Sequence, residues 1–368
     1  MNNSSVRRIL QISFDMSRGG AETLIMNIYR NIDRSKIQFD FLLHNKKKSA
    51  YEDEITALGG RIYKIPRFLG YNKLSYDKNL EAFLLEHPEY TIIHDHLMDS
   101  ATETFKIAKK LGRKTISHSH ITQNKLSLDS FIRFFFRKDI YKVSDYRMAC
   151  SNDAGRWLYR GKADFIVLKN GIETEKFSFS FENRRKTRKA LGLKETDFVI
   201  GTIGRCVEQK NQKRALEIFR DLHKKNVNSK LVLVGEGPLE KDLKSQAKKS
   251  GVETAVVFTG SIKNTNEMYS AFDCFLFPSL YEGLGIVLIE AQANGLPCVI
   301  SSNVPKDVDL INPLIHRISL KDDNNVWVEA IQESKPFENR TKAPSLIKKA
   351  GYDIKDVSEY IENFYMNI

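Results

Sequence analysis

At 368 residues the chain exceeds what one hydrophobic core usually supports, so two domains of roughly 150 to 200 residues are expected. Its 41% hydrophobic and 28% charged residues are ordinary for a soluble globular enzyme, and no run approaches the ~18 apolar residues of a membrane-spanning helix. The net charge of +12 invites partners of opposite sign. Yet the basic residues fall in short runs read as helical (46–48, 184–189, 248–249) without a nucleic-acid reading motif, so an anionic ligand or membrane surface is preferred over nucleic acid. Cys150, Cys206, Cys274 and Cys298 lack metal-site or redox spacing, which points to a reduced, cytoplasmic setting.

The short apolar run 9–14 follows Arg7 and Arg8 and leads into Asp15, so it reads as a first strand and not a signal peptide. Gly19 and Gly20 then turn the chain into a helix over 23–31, where backbone N–H groups can meet a phosphate. Strands over 39–43, 61–65, 91–94 and 114–117 alternate with helices over 51–58, 76–86 and 100–111. Such alternation predicts a parallel sheet covered on both faces, with binding residues just past the strand ends.

Two histidine pairs occupy such ends: His94-Asp95-His96 and His118-Ser119-His120. His-x-His can supply two metal ligands, but strand-end neighbours are taken to point in opposite directions, and no further pattern completes a set. Contact with substrate is preferred, with a structural role left open. Over 130–143, Ile132, Ile140 and Val143 with Phe135 or Phe136 form an inward stripe. Phe131, Phe134 and Tyr141 lie outside it beside Arg133, Arg137 and Lys138, so a core helix and a membrane-facing helix both remain open. Strands over 146–150 and 165–168 complete the first sheet, and a charged, loop-like connection extends through Lys186.

The second half opens with a strand over 198–203, followed by Gly204-Arg205 and then Lys210, two cations around one loop and suited to phosphate. Strands over 231–234 and 256–259 lead into Gly235-Glu236-Gly237-Pro238 and Gly260-Ser261-Ile262. The stretch 274–301 reads as strand, glycine-rich turn, helix and strand, the helix over 286–294 stopped by Gly295 and Pro297. It offers the N–H groups of Leu284, Gly285, Ile286 and Val287 to an anion. Glu282 before the helix and Glu290 one turn inside it suit hydroxyl groups, since a carboxylate repels phosphate. A diphosphate between two polyols, a nucleotide sugar, fits both. Residues 304–307 read as a loop lining the cleft, and helices are expected over 322–333 and 353–365.

Glu282-x7-Glu290 with Ala291, Asn294-Gly295 and Pro297 resembles the donor-binding signature of the retaining glycosyltransferases of family 4, among them bacterial capsular and exopolysaccharide enzymes. The resemblance covers nearly the whole chain and is strongest after Asn170. It implies the GT-B fold: an acceptor-side Rossmann-like domain over 1–178, a nucleotide-sugar domain over 179–352, and a last helix over 353–368 crossing back, with the active site in the cleft between the domains. It also implies roles. Arg205 and Lys210 form the diphosphate clamp, and Gly19 and Gly20 reach the donor phosphates. Gly235 lies near the nucleoside, Ser261 and Ile262 line the base, and Leu284, Gly285 and Ile286 meet phosphate. Glu282 holds the donor sugar, Glu290 the ribose, and His118 stands beside the sugar.

The resulting expectation is transfer, with retention, of a hexose-type sugar from a nucleoside-diphosphate donor, UDP preferred. The acceptor would be a saccharide or lipid-linked saccharide, and the setting surface-polysaccharide synthesis at the inner face of the membrane. No metal or other cofactor is expected. A nucleotide-sugar 2-epimerase of the same fold is the alternative, and a non-catalytic polyanion binder a more distant one. A Rossmann oxidoreductase is disfavoured because no Gly-x-Gly-x-x-Gly follows the first strand.

Overall fold

The computed structural model describes residues 6–122, 137, 139–262 and 264–368. The chain divides into two compact units, residues 1–171 with 354–368, and residues 172–353. The first break thus falls at Gly171, ahead of the boundary expected after 178.

The first unit is a parallel sheet of seven strands in the order β3-β2-β1-β4-β5-β6-β7. These are β1 (Arg7–Ser13), β2 (Ile37–Leu43), β3 (Ile62–Lys64), β4 (Ile92–Asp95), β5 (Lys114–Ser119), β6 (Tyr146–Ala149) and β7 (Ile166–Val167). The second is a parallel sheet of six, in the order β10-β9-β8-β11-β12-β13. Its strands are β8 (Phe198–Ile203), β9 (Ser229–Val234), β10 (Val256–Gly260), β11 (Cys274–Phe277), β12 (Cys298–Ser301) and β13 (Ile315–Ile318). In each, the first strand lies beside the second on one side and the fourth on the other. That reversal is the switch point at which doubly wound sheets open a crevice for ligands. It falls between β1 and β4 in one unit and between β8 and β11 in the other.

The central strands of the second sheet are largely apolar because helices cover both faces. All of β11 and all of β12 are buried. In the first unit Leu24, Ile25, Phe39, Phe41 and Met148 form one core together with Ile354, Val357, Ile361 and Tyr365 of the last helix, Ile354–Asn367. The crossing-back helix is therefore part of the first unit's core. All four cysteines are buried and unbridged.

Two expectations need correcting. The connection read as loop through Lys186 contains a helix, Phe181–Ala190, whose start is capped by the Ser180 hydroxyl accepting from the Asn183 N–H. Its basic run is not merely solvated. Arg188 is fully buried, donating to the carbonyls of Ala271, Lys194, Glu195 and Asp197 and pairing with Asp273 at 2.7 Å. The run 46–48, read as helical, lies in a loop instead. Helices Asn152–Tyr159, Gln212–Lys225 and Ala343–Lys349 and the edge strand β13 were not anticipated.

The helix expected over 130–143 lies outside the described residues except for Arg137, Asp139 and the last turn, Ile140–Val143. Phe131, Arg133, Phe134 and Lys138 are among the residues not described. Ile140 is buried as the inward stripe requires, Tyr141 packs partly buried against the same cluster, and Arg137 lies 4.3 Å over the Trp157 ring. Among the described residues no helix is long and apolar enough to cross a membrane.

Candidate functional site

The second unit gathers most of the predicted donor-binding residues at its switch point. The loop after β8 is drawn onto the loop after β11 by several hydrogen bonds. Gln209 Nε2 donates to the Tyr281 carbonyl (3.0 Å), Leu280 N–H to the Gln209 carbonyl (2.9 Å), and Asn211 Nδ2 to the Pro278 carbonyl (3.0 Å). Gln212 Nε2 ties the start of the loop, donating to the Arg205 carbonyl at 2.8 Å. This places Lys210 Nζ 2.7 and 2.9 Å from the two carboxylate oxygens of Glu282 and 5.2 Å over the Phe277 ring.

Lys210 and Glu282, given separate roles from sequence, are thus one pair, with Glu282 only 4% exposed. The ammonium is oriented by a carboxylate and an aromatic face, while Arg205 on the same loop is exposed to solvent. Gly235 follows β9 with φ +128, and a β-carbon there would clash with the Gly204 carbonyl oxygen. Glycine at 235 therefore lets the β9 turn lie directly under the clamp loop. Ser261 is exposed and Ile262 half-buried just beyond β10.

The helix after β11 runs Ile286–Ala293, and Gly285 enters it with φ +94, a left-handed conformation costly for any other residue. Leu284 is buried and Ile286 half-buried, so the side chains pack inward. N–H groups in the first turn of a helix have no acceptor inside it, which suits an anion there. Glu290 lies one turn deeper, its carboxylate accepting a 2.5 Å hydrogen bond from the Tyr269 hydroxyl. Burial pushes its acid up from 4.5 to about 7, although the Tyr269 bond works against that rise.

The sign of this shift makes a prediction. The folded chain holds the Glu290 proton more tightly than the unfolded chain, so stability falls as pH rises from 4.5 through 7. The full cost above pH 7 is on the order of 3 kcal/mol. Glu290→Gln keeps an acceptor for Tyr269 and removes the charge. Its melting temperature relative to the parent is expected to rise between pH 5 and pH 8. A difference independent of pH would mean that the carboxyl stays ionised throughout.

In the first unit, Gly19 caps the helix Gly20–Asn31 with φ −120, and a β-carbon on it would clash with the Glu22 carboxylate. Gly20 faces open space. An acidic side chain thus already occupies that helix mouth, which sequence reading overlooked.

His118 lies within β5, not past its end, and is 1% exposed. The two histidines of each pair do not diverge, because the strand register sets them on one face. Residues two apart share a strand face: the His94 and His96 rings stack at 4.4 Å, and those of His118 and His120 lie tilted to each other at 4.1 Å. One ring nitrogen from each of His94, His96 and His118 falls within 4.8 Å of the others, so a metal-compatible cluster exists. Burial pushes all four imidazoles down, His94 and His120 to about 3 and His96 and His118 well below the usual value.

The family model for glycosyl transferases group 1 matches residues 183–336, and that for Glycosyltransferase Family 4 matches residues 18–176. EpsF of Bacillus subtilis is 34% identical over 99% of this chain and 97% of its own length. The chain belongs to this family of glycosyltransferases. A second relative of the glycosyltransferase, the capsular polysaccharide biosynthesis glycosyltransferase CapH of Staphylococcus aureus, is 24% identical over 98% of this chain and 99% of its own. The crystal structure of Anabaena HepE in complex with UDP-glucose superposes with a TM-score of 0.80 at 17% identity, covering 98% of this chain and 100% of that one. The glycosyltransferase has the GT-B fold, two Rossmann-like parallel-sheet domains.

Proposed function

We propose that this glycosyltransferase transfers a hexose from a UDP-sugar, with retention, to a saccharide or lipid-linked saccharide in surface-polysaccharide synthesis. The observation that carries the proposal is the juxtaposition of Lys210 with Glu282 directly before the open first turn of Ile286–Ala293. Lys210, Arg205 and the N–H groups of that turn supply positive charge for a departing diphosphate. Glu282 accepts from donor-sugar hydroxyls while steering Lys210, and Glu290 accepts from the ribose hydroxyls. In a front-face displacement the leaving phosphate takes the proton of the incoming hydroxyl, so the protein need not supply a strong base. With the diphosphate neutralised by side chains and backbone, catalysis needs no divalent cation. CapH by its name, and HepE by the UDP-glucose it holds, support the setting and the donor. The basic surface, +12 overall, suits a peripheral position on an anionic membrane.

A thermal-shift panel of nucleotide sugars is expected to single out a UDP-sugar, because a ligand that binds only the folded state raises its melting temperature. Transfer of that sugar should give a product of the donor's anomeric configuration by NMR and survive excess chelator. An inverted product would reject retention, and loss of transfer restored by manganese would reject metal independence. Epimerised nucleotide without acceptor would replace the reading with a 2-epimerase.

A further inference from the structure

Gln11 on β1 joins the four histidines and Tyr365 into one two-armed network inside the first unit. In one arm Gln11 Nε2 lies 3.3 Å from the Tyr365 hydroxyl, which is 2.6 Å from His94 Nδ1, and His94 Nε2 is 3.2 Å from His118 Nδ1. In the other, Gln11 Oε1 is 2.8 Å from His96 Nε2, and His96 Nδ1 is 2.9 Å from His120 Nε2. Each arm ends on a buried nitrogen with no hydrogen-bond partner among the described residues, His118 Nε2 and His120 Nδ1.

A neutral imidazole carries one proton, so whatever occupies one nitrogen decides the other. Burial keeps all four rings neutral. The Gln11 carbonyl accepts from His96 Nε2–H, His96 Nδ1 accepts from His120 Nε2–H, and His120 Nδ1 is left as a lone pair. The Gln11 amide donates to the Tyr365 oxygen, and Tyr365 donates to His94 Nδ1. His94 Nε2–H then donates to His118 Nδ1, leaving His118 Nε2–H as a donor. Turning the amide over reverses both arms together, so the two ends always differ. One amide has one donor end and one acceptor end, and the network transmits that difference.

We propose that Gln11, through His94 and Tyr365 on one side and His96 on the other, is the positioning residue that makes His118 and His120 a donor–acceptor pair for a sugar hydroxyl. A hydroxyl is the group that both donates and accepts. An unsatisfied buried donor and acceptor side by side each cost stability until such a group arrives. The assignment of the ligand rests on the glycosyltransferase reading, whereas the tautomers do not.

Two-bond proton–nitrogen correlation spectra of the full chain, labelled with 15N-histidine, report which nitrogen of each ring is protonated. The expected spectrum shows all four neutral and sharing the Nε2–H form. In Gln11→Glu the carboxylate accepts from both arms. His94 and His118 are then expected to switch to Nδ1–H, while His96 and His120 keep Nε2–H. The same variant should lose roughly 10-fold or more in kcat/KM with unchanged Kd for free UDP. Mixed tautomers within one arm of the parent chain, doubly protonated rings at neutral pH, or nitrogen shifts typical of metal coordination would each overturn the proposal, even if the variant does not fold. Addition of UDP-glucose, or of UDP with free glucose, separates a donor-sugar hydroxyl from an acceptor hydroxyl by which one moves the His118 and His120 signals. Failure of both to move them would remove the hydroxyl site. Absence of sugar transfer by the parent chain, with the tautomers as expected, would instead count against the proposed transferase function and leave the network standing.

Discussion

Lys210→Met is expected to lower turnover at least about 100-fold and to lower the melting temperature, two effects with separate origins. The rate falls because charge developing on the leaving diphosphate loses a positioned cation. Stability falls because Glu282, 4% exposed, loses the ammonium held at 2.7 Å. Breaking one side of such a pair costs roughly 3–5 kcal/mol when fully buried, and less here because Lys210 keeps about a fifth of its side chain in water. Pairing the change with Glu282→Gln removes the carboxylate that faced the ammonium. The double variant should therefore recover most of the melting temperature and none of the turnover. Melts and initial rates of the parent, both single variants and the double variant decide the matter. A double variant as unstable as Lys210→Met would show that the Glu282 charge left behind is not what destabilises it.

Arg205→Ala should reach a similar loss of turnover, about two orders of magnitude, by a route that leaves the fold alone. Arg205 is exposed on the loop after β8, and substitutions at such positions usually stay within about 0.5 kcal/mol. An unchanged melt with a 100-fold slower rate would mark a residue used only when the donor is bound. Arg205→Lys restores the charge without the planar fork, so partial recovery is expected. Near-normal turnover in Arg205→Ala would remove it from the clamp and leave Lys210 and the helix N–H groups to carry the phosphate.

The strands were the most legible part of the chain, because a buried parallel strand is a short apolar run between turn residues. β8 has the limits read from sequence, and β11 begins at Cys274 as read. Helices with few apolar residues were the least legible. Phe181–Ala190 carries five basic side chains in ten residues, and only tertiary structure reveals that one of them, Arg188, is a core hydrogen-bond hub. At the site, Glu282 and Glu290 were found by spacing from the glycine turn. Their partners, Lys210 and Tyr269, are distant in sequence and were not paired with them. The histidine network was missed for a different reason. Gln11 resembles any polar residue in a strand until the register sets it opposite His94. Tyr365 reaches the same spot from the far end of the chain.

That last contact bears on how the molecule is made. The side chains closing one face of the first sheet, Ile354, Val357, Ile361 and Tyr365, are translated only after the whole second unit, residues 172–353. At roughly 5–20 residues per second those 182 residues occupy the ribosome for about 10–40 s. Throughout that interval Leu24, Ile25 and Phe39 lack their closing helix, a nascent apolar groove awaiting either its own carboxyl-terminal segment or a chaperone. The second unit, continuous in sequence, has no such wait, and the order of completion is the reverse of the order of synthesis.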